Sequence, residues 1–558
     1  MAVKTAATVT KQPNAMRWWA LVVLMLPVLL VSVDNTVLAF ALPEISTALQ
    51  PTGNQQLWIV DVYGLMLAGL LIPMGALGDR WGRRRLLLIG GIGFTLTSII
   101  AALVPTASLL IVSRAVMGFF GASLMPATLS LIRNIFTVPK ERRLAIAVWA
   151  SCFSGGSALG PIVGGFLLEH YYWGSIFWMS VPILVPMVLL APLVVPESKD
   201  TQPGPIDVPS ILLMLAVMVP LVYGIKDMAH QGLSPWIGVG AVIVAISAWW
   251  LIRRQLHAAS PMFDVRLFME RHFTGAVLAN LLSMISLVGF LYYISQHFQL
   301  VSGHSPMVAG LLLLPGTAAT ILAGLVVVKL AAWLTPRKLV TAGLLLNAVG
   351  YFMIMVAGDA GSDWGLVAAF ILVGIGVGAA ETISNDMIMA AAPPAKAGAA
   401  SAISETAYEI GAVLGTTVLG SVLNAAYRRS IEIPTGISPD QGDIARETLG
   451  GATEIAHRVG GVPGAELLAS ARHAFDHSVV FSSSIAVGLM LGGSDPFFDP
   501  AARSKTRLRS RVANVVNKHS QHGFSKLIKV PLKKIFSNGG LVPPPLAGGT
   551  RPKPCRSL

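Results

Sequence analysis

The segment GALGDRWGRRR, residues 75–85, joins two apolar blocks at 56–78 and 86–104. An α-helix needs about 20 apolar residues to cross the hydrocarbon core of a bilayer, and both blocks have that length. The linking segment combines glycines, which permit tight helix ends, with opposite charges that would lie at a membrane edge. Its residues of interest are Gly75, Gly78, Asp79, Arg80, Gly82 and Arg83. The segment predicts a charged turn between two transmembrane helices that can latch one membrane face shut.

The rest of the chain continues this pattern. Of its 558 residues, 54% are apolar and 12% are charged, against about 25% charged in an ordinary soluble domain. This is too little charge to coat the surfaces of soluble domains. Further apolar blocks of helical length fall at about 17–42, 107–132, 144–168, 174–195, 209–225, 236–252, 272–298, 306–330, 338–357, 365–391, 398–425 and 478–493. The sequence therefore predicts an all-α integral membrane protein with 14 transmembrane helices.

Lysine and arginine are concentrated in the loops on one side of these helices. They include the run Arg83–Arg85, Arg142, Arg253 and Arg337. Short loops on the other side, such as 299–305, contain neither residue. Because basic loops stay in the cytoplasm, we expect both termini, including a leader at 1–16, to be cytoplasmic in a bacterial inner membrane.

The net charge of +13 lies mostly at the end of the chain. Residues 494–558 hold thirteen Lys or Arg and two Asp, which together give +11. A nucleic-acid-binding surface is therefore not expected. The tail is predicted to be a disordered cytoplasmic extension or a frame-altered end, and contact with anionic membrane lipids is a further alternative.

Two segments before this tail are ambiguous. Residues 426–477 combine helix-like patterning with Gly460 and Gly461, which fits an external helical hairpin as well as a solvated, partly disordered loop. The block at 478–493, with about 16 residues, is near the lower limit for a membrane span. We therefore expect a short fourteenth helix.

Three of the charged residues inside predicted spans belong to the first, second and fourth helices, where a charge is costly and needs a partner or a function. Asp34, Asp61 and Arg114 share a depth in the outer half when about 1.5 Å is counted per residue. A carboxylate in a low-dielectric cavity can bind either a proton or a cationic ligand. The alternatives are that Asp34 and Asp61 cap broken helices or pair with Arg114, and that Asp61 is interfacial.

Glycines recur every four residues in the segment GGSALGPIVGG, residues 155–165. Gly156, Gly160 and Gly164 clear one stripe of the predicted fifth helix, as small residues do where membrane helices pack closely. Pro161 removes a backbone donor and bends the helix. Ordinary helix packing and a sliding or gating contact both fit this pattern.

Four segments together resemble motifs of the major facilitator superfamily. GALGDRWGRRR resembles motif A, RAVMGFFGAS at 114–123 resembles motif B, and GSALGPIVGG at 156–165 resembles motif C, the antiporter motif. VDNTVLAFALP at 33–43 resembles the first-helix motif of the 14-helix drug/proton antiporters, in particular efflux pumps of the QacA, SmvA and LfrA type. The similarity covers about residues 17–493.

This resemblance implies a major facilitator fold, with six-helix bundles at 17–195 and 272–493 and two inserted helices at 209–252. It implies proton coupling by Asp34 and Arg114. It also implies gating by motif A, where the aspartate latches the inward face, and by motif C. The motif residues concerned are Gly75, Asp79, Arg80, Gly82, Arg83, Gly156, Gly160, Pro161, Gly164 and Gly165.

A carboxylate pair in the thirteenth predicted helix extends the candidate site. Glu405 and Glu409, in SETAYEIGAVLG at 404–415, lie one helical turn apart and share a face. Glu381 and Asp386, in the twelfth helix, lie nearer the cytoplasm. Such a face can attract cations or carry protons, and pairing with nearby polar groups is the alternative.

The resemblance implies export of lipophilic cations, such as quaternary ammonium compounds, dyes and in some relatives fluoroquinolones, in exchange for protons. No GxxxxGKS/T segment, nucleophile triad or metal cluster occurs. We therefore expect a secondary transporter driven by the proton gradient, with no cofactor, that acts as a monomer and is not an enzyme. The alternatives are an exporter of an endogenous metabolite, lipid or siderophore, and a non-transporting membrane scaffold.

Overall fold

The computed structural model describes residues 14–199, 207–231, 234–258, 265–359, 362–391 and 397–494. The predicted tail beyond residue 494 and most of the predicted leader lie outside these ranges. Within them the chain forms α-helices and no strand. The helices are α1 (Asn14–Leu49), α2 (Gly53–Trp81), α3 (Arg83–Leu103), α4 (Ala107–Ile135), α5 (Pro139–His170), α6 (Ser175–Trp178), α7 (Ser180–Val194), α8 (Val208–Gln231), α9 (Pro235–His257), α10 (Arg271–Gln296), α11 (Pro306–Leu330), α12 (Pro336–Asp359), α13 (Asp363–Ala391), α14 (Ala397–Leu414), α15 (Ser421–Ser430), α16 (Pro439–Glu447), α17 (Leu449–Val459) and α18 (Gly461–Ser494).

These helices provide the predicted number of membrane spans. In the described part of the chain, 13 helical runs are long and apolar enough to cross a membrane, and α5, bent by 40° after Ser157, makes a fourteenth. One span combines α6 with α7, and another joins α14 to α15 through the π-helical turn Gly415–Gly420. The prediction of an all-α membrane fold with fourteen spans is confirmed.

The helices pack as two groups and an inserted pair. Helices α1–α7 pack on one another as the N-terminal half, and α10–α15 pack with α18 as the C-terminal half. Helices α8 and α9 pack mainly on each other. We call the side of the bundle that carries Arg83–Arg85 the basic side, and the other the opposite side.

The inserted helix α8 faces the bundle with a narrow stripe. Its buried residues Ser210, Met214, Met218, Val222 and Lys226 recur every four positions, so they lie along one face of the helix. The sequence predicted an apolar block at about 209–225 for this helix. The helix continues beyond this block to Gln231 and buries Lys226 and Asp227.

On the basic side, Asp207 fixes the start of α8. Its carboxylate accepts a hydrogen bond from the backbone N–H of Ser210 at 3.2 Å and pairs with Arg254 of α9 at 2.8 Å. Desolvation alone would raise the pKa of Asp207, but the bonds from Arg254 and Ser210 outweigh it and lower the pKa overall. The pair therefore ties the two inserted helices together.

The segment 426–477 folds as helices on the opposite side. Helices α16 and α17 follow α15, and the chain reverses into α18 through Gly460 and Gly461, whose φ angles are +66° and +60°. Buried Leu449, Ile455 and Leu467 join these helices to the main core. The structure thus has the helical alternative, which contains α16 in addition to the expected hairpin.

The last span is longer than the sequence predicted. Helix α18 has 34 residues and runs without a break from the external segment into the apolar block. The expectation of a short fourteenth helix was wrong, because the polar positions before residue 478 belong to the same helix and extend it beyond the apolar block.

The two halves meet on the opposite side. There the Gln56 side chain donates to the Gln296 side chain at 3.1 Å, and the Ser295 hydroxyl donates to the Ala39 carbonyl at 2.6 Å. A further bond joins Asn424 to the Gly53 carbonyl at 3.1 Å. These bonds close the space between the halves on that side.

Candidate functional site

A cavity of about 450 Å³ lies between the two halves, below the closed opposite side. The N-terminal half lines it through α1, α2, α4 and α5, and the C-terminal half through α10, α13 and α14. Arg133 and Met389, each near the basic-side end of its helix, line the same cavity as Gly121 and Glu409 further in. The cavity therefore extends toward the basic side.

Four acidic side chains from the C-terminal half line this cavity: Glu381, Asp386, Glu405 and Glu409. Glu409 is 8% exposed and its carboxylate reaches the N-terminal half, where a Cβ on Gly64 would lie 3.6 Å from its Oε2. Within the described chain, no ion pair or hydrogen bond holds the carboxylates of Glu381, Glu405 and Glu409. The predicted turn spacing does bring Glu405 and Glu409 to one face, and they remain available to a ligand.

Aromatic rings form the wall that faces these carboxylates. The rings of Trp149 and Phe153 on α5 are stacked with centroids 6.4 Å apart, and Tyr408 of α14 meets Phe153 edge-on at 6.1 Å. All three line the cavity. This wall was not predicted from the sequence, although two aromatic residues four positions apart, Trp149 and Phe153, lie on one face of a membrane helix and could have indicated it.

Asp34 and Arg114 form a buried ion pair beside the cavity. Their side chains are 2.7 Å apart, and the residues are 4% and 1% exposed. The Tyr63 ring lies under the guanidinium group, with 4.3 Å between the guanidinium carbon and the ring centroid. The structure thus places Asp34 and Arg114 at a common depth, as predicted. It also shows the ion pair between them, which the sequence left open as an alternative to a functional role for Asp34.

Asp61 lies at a similar depth but pairs elsewhere. Its Oδ2 is 2.9 Å from the ammonium of Lys226 and accepts a hydrogen bond from the Thr417 hydroxyl at 2.7 Å. The side chain is buried and is not among the cavity residues. Asp61 is thus enclosed by protein and paired with a cation, Lys226, that was not predicted from the sequence, and its interfacial depth stays an open alternative.

The motif C glycines pack α5 against α1. A Cβ at Gly156 would lie 1.9 Å from the Ser32 hydroxyl oxygen, and one at Gly160 would lie 1.9 Å from that of Thr36. One turn further on, a Cβ at Gly164 would lie 2.8 Å from a methyl carbon of Val37. The contact that the stripe predicted is present, and its partner residues flank Asp34.

Pro161 leaves a carbonyl oxygen without its helical donor. The residue four positions earlier is Ser157, whose carbonyl oxygen lies 3.2 Å from the Thr36 hydroxyl. The bend in α5 lies at this point, immediately after Ser157. The Thr36 hydroxyl, which was not predicted as part of the site, can donate its one hydrogen either to this freed carbonyl or to the Val33 carbonyl of its own helix, also at 3.2 Å.

The other face of the bend touches the C-terminal half. A Cβ at Gly165 would lie 2.7 Å from the Met307 Cα, and one at Gly310 would lie 2.4 Å from the Pro161 carbonyl oxygen. Since both residues of α11 lie near its opposite-side end, motif C connects Asp34's helix to the closed side.

Motif A lies on the basic side and is held by its own half. Asp79 pairs with Arg83 at 2.6 Å, and the backbone N–H of Arg83 donates to the Ser198 carbonyl at 2.8 Å. Gly82 has a φ angle of +111°, and a Cβ there would lie 2.7 Å from the Glu197 carboxylate. Arg80 is exposed. The predicted latch of the inward face stays a prediction, because Asp79 here binds a residue of its own turn.

The family model for the Major Facilitator Superfamily matches residues 24–416, a range that includes most of the N-terminal half, the C-terminal half as far as α14, and every residue that lines the cavity. The chain belongs to the major facilitator superfamily. This is the family that the four motifs indicated, and the chain is a multi-pass membrane protein of a transporter family.

Curated relatives match over most of their length. The chain is 51% identical over 477 residues to the multidrug efflux pump LfrA of Mycolicibacterium smegmatis, covering 86% of this chain and 95% of that protein. It is 37% identical over 482 residues to the methyl viologen resistance protein SmvA of Salmonella typhimurium, covering 85% and 97%.

A solved structure supports the fold. A bacterial homologue of the human lysosomal transporter Spinster, in an inward-facing and unoccupied conformation, has a TM-score of 0.61 at 17% identity. The match covers 87% of this chain and 98% of that chain.

Proposed function

We propose that the chain is a proton-coupled multidrug efflux antiporter that exports lipophilic cations, including quaternary ammonium compounds, dyes and some fluoroquinolones, across the bacterial cytoplasmic membrane. The names of LfrA and SmvA support this class of activity. The basic side is then cytoplasmic, because arginine-rich loops stay inside, and the cavity of this conformation receives its substrate from the cytoplasm.

The observation that carries the proposal is the set of unpaired carboxylates on the cavity wall. Glu405 and Glu409 face the cavity without an ion pair in the described chain; Arg133, near the basic-side end of the same cavity, acts on Glu405 only through its longer-range field. A buried carboxylate is stable when it is protonated or paired. A lipophilic cation and a proton therefore compete for the same groups, and that competition is the basis of exchange.

The aromatic wall supports the class of substrate. A delocalised cation placed between Trp149, Phe153 and Tyr408 gains cation–π attraction of about 0.5–2 kcal/mol per ring contact. It also buries apolar surface that a small metal ion lacks. The wall therefore favours planar or bulky organic cations over inorganic ones.

Asp34 and Arg114 supply the coupling step in this proposal. Protonation of Asp34 from outside removes the charge that holds Arg114. The flanking residues Ser32 and Thr36 contact Gly156 and Gly160 of α5, and α5 in turn contacts α11 on the closed side. A change in the ion pair is thereby transmitted to the contact between the two halves.

Motif A acts at the other end of the cycle. With the cavity facing the cytoplasm, Asp79 pairs with Arg83. When the cytoplasmic side closes, we propose that Asp79 gains a partner in the C-terminal half and holds that side shut.

The proposal is tested with Asp34→Asn in proteoliposomes. We expect the variant to lose ethidium-dependent proton release, while Asp443→Asn, a change of an exposed carboxylate on α16 of the external segment, retains it. Asp34→Asn with Arg114→Gln leaves no unpaired charge and serves as the control for folding. Proton release by Asp34→Asn at the wild-type level would contradict the assignment.

A further inference from the structure

Lys226 is a buried charge on a helix that otherwise faces outward. Helix α8 exposes Leu212, Tyr223 and Met228, yet the Lys226 residue is only 1% exposed. It ends the four-residue stripe by which α8 contacts the bundle. A lysine with its charge in the membrane interior is retained only where a partner or a function compensates for it.

The partner of Lys226 is Asp61, and one oxygen atom of its carboxylate contacts both the inserted pair and the C-terminal half. The Asp61 Oδ2 on α2 receives both the Lys226 ammonium from α8, at 2.9 Å, and the Thr417 hydroxyl from the π-helical turn of the C-terminal half, at 2.7 Å. The inserted pair and both halves therefore meet at one carboxylate.

This carboxylate lies on the side that must open during transport. Asp61 is eight residues after the start of α2, close to the bonds that join the halves on the opposite side. When those halves separate, the Thr417 bond has to break. The Lys226 ion pair need not break, because both of its partners, Asp61 and the Trp58 ring, lie on α2. Helix α8 packs on α2 around Gly69, where a Cβ would lie 2.5 Å from Leu215, and it also contacts α15 and the π-helical turn of the C-terminal half, which must slide past it.

The Trp58 ring strengthens the attachment of Lys226 to α2. It lies three residues before Asp61, and its centroid is 4.0 Å from the Lys226 ammonium nitrogen. Ion pair and cation–π contact thus both bind Lys226 to the N-terminal half. On the C-terminal half, this network bonds to the Thr417 hydroxyl of the π-helical turn.

We infer that Lys226 is a positioning residue for transport. It keeps Asp61 paired throughout the cycle, so that the Thr417–Asp61 bond can break and re-form as the opposite side opens and closes. The inserted helix α8 is then a working part of the transporter. This inference rests on the proposed function in one respect, since transport is one of its readouts.

The neighbouring polar groups are already bound to others. Tyr292 of α10 lies 3.3 Å from the Gln56 side-chain oxygen, and Arg428 of α15 pairs with Glu447 at 3.3 Å. Without Lys226, the Asp61 carboxylate would be an uncompensated buried charge, and protonation at acidic pH would remove that charge. A titration of Asp61 would then enter the pH profile of transport.

The first test compares Lys226→Met, Lys226→Arg and the double variant Lys226→Met with Asp61→Asn, using ethidium efflux over a range of pH. Lys329→Met, an exposed lysine at the end of α11, is the matched control. We expect Lys226→Met to lose about tenfold or more of the rate and to recover at acidic pH. Lys226→Arg and the double variant should restore the rate and the wild-type profile.

Two results would overturn the inference. One is a Lys226→Met variant with the wild-type rate and pH profile at equal abundance in the membrane. The other is a double variant no more active than the single one. Absence of ethidium efflux by the wild-type chain would instead overturn the proposed function.

A second measurement does not depend on changing a charge. Spin labels at Leu103 and Trp364, exposed on the opposite side of the two halves, report its opening when Cys152 and Cys555 are replaced. Thr417→Val should raise the open population about tenfold, as expected for loss of a bond to a charged group, and Thr417→Ser should not. Equal distance distributions for Thr417→Val and the wild type would overturn the inference even if Lys226 variants fail to fold.

Discussion

Substitution of Gly160 by alanine tests the contact between α1 and α5 with a single added carbon. The new Cβ would lie 1.9 Å from the Thr36 hydroxyl oxygen, whereas ordinary contacts begin at 3.4 Å. The helices must therefore separate by about 1.5 Å, or Thr36 must rotate and lose its bond to the Ser157 carbonyl. Overpacking of this kind costs about 1–3 kcal/mol.

Gly155 provides the matched control, because a Cβ there meets nothing within 4 Å. Gly155→Ala should stabilise the protein by up to about 1 kcal/mol, because alanine has the higher helix propensity. Gly160→Ala has the same favourable contribution, and the cost of its clash is subtracted from it. The two variants should therefore differ by about 1–3 kcal/mol, or about 5- to 150-fold in an equilibrium.

The comparison is made by thermal stability in detergent and by ethidium efflux at equal membrane abundance. Gly160→Ala should be the less stable and less active variant. Adding Thr36→Ala removes the clashing oxygen and should restore part of the loss. If Gly160→Ala and Gly155→Ala behaved alike in both assays, the proposed packing of motif C on α1 would be refuted.

Two further predictions concern the cavity and the ion pair beside it. Tyr63→Leu should reduce transport about 2- to 30-fold, because it removes a cation–π contact of about 0.5–2 kcal/mol from Arg114. Tyr63→Phe deletes only a buried hydroxyl without a hydrogen-bond partner and should leave transport unchanged. Loss of transport in both variants would contradict this reasoning. Glu409→Gln should weaken ethidium binding and make it less dependent on pH, while Trp149→Leu should weaken it at all pH values, as measured by fluorescence titration; unchanged binding in both variants would place the substrate elsewhere.

The spans and the motifs were predictable because they depend on local sequence. Blocks of apolar residues as long as a bilayer is thick have few other stable structures in membranes. The depth of Asp34 and Arg114 followed from counting helical rise, and the glycine stripe predicted a close helix contact. In each case the signal lay within one helix.

Partners across the fold were not predictable in the same way. Lys226 follows directly after the predicted apolar block at 209–225, and nothing within that helix marked it as a buried cation. Its pairing with Asp61 depends on how α8 packs on α2, which no spacing within either helix determines. The role of Thr36 at the Ser157 carbonyl likewise required the arrangement of α1 beside α5.

The helices at 426–477 were left open for a similar reason. Amphipathic patterning fits a helix in contact with a folded partner as well as a solvated segment. What decides is burial: Leu449, Ile455 and Leu467 are each at most 2% exposed in the structure. The length of α18 follows from the same packing, because its polar first half lies against α17.

The central claim is that drug export is driven by exchange for protons. In proteoliposomes, ethidium movement and internal pH are followed together while a proton gradient is imposed and then collapsed by a protonophore. We expect ethidium to move against protons, at a rate that falls to the background when the gradient is collapsed, and we expect this flux to be missing in Asp34→Asn. Ethidium accumulation that continues unchanged without a gradient would contradict the account.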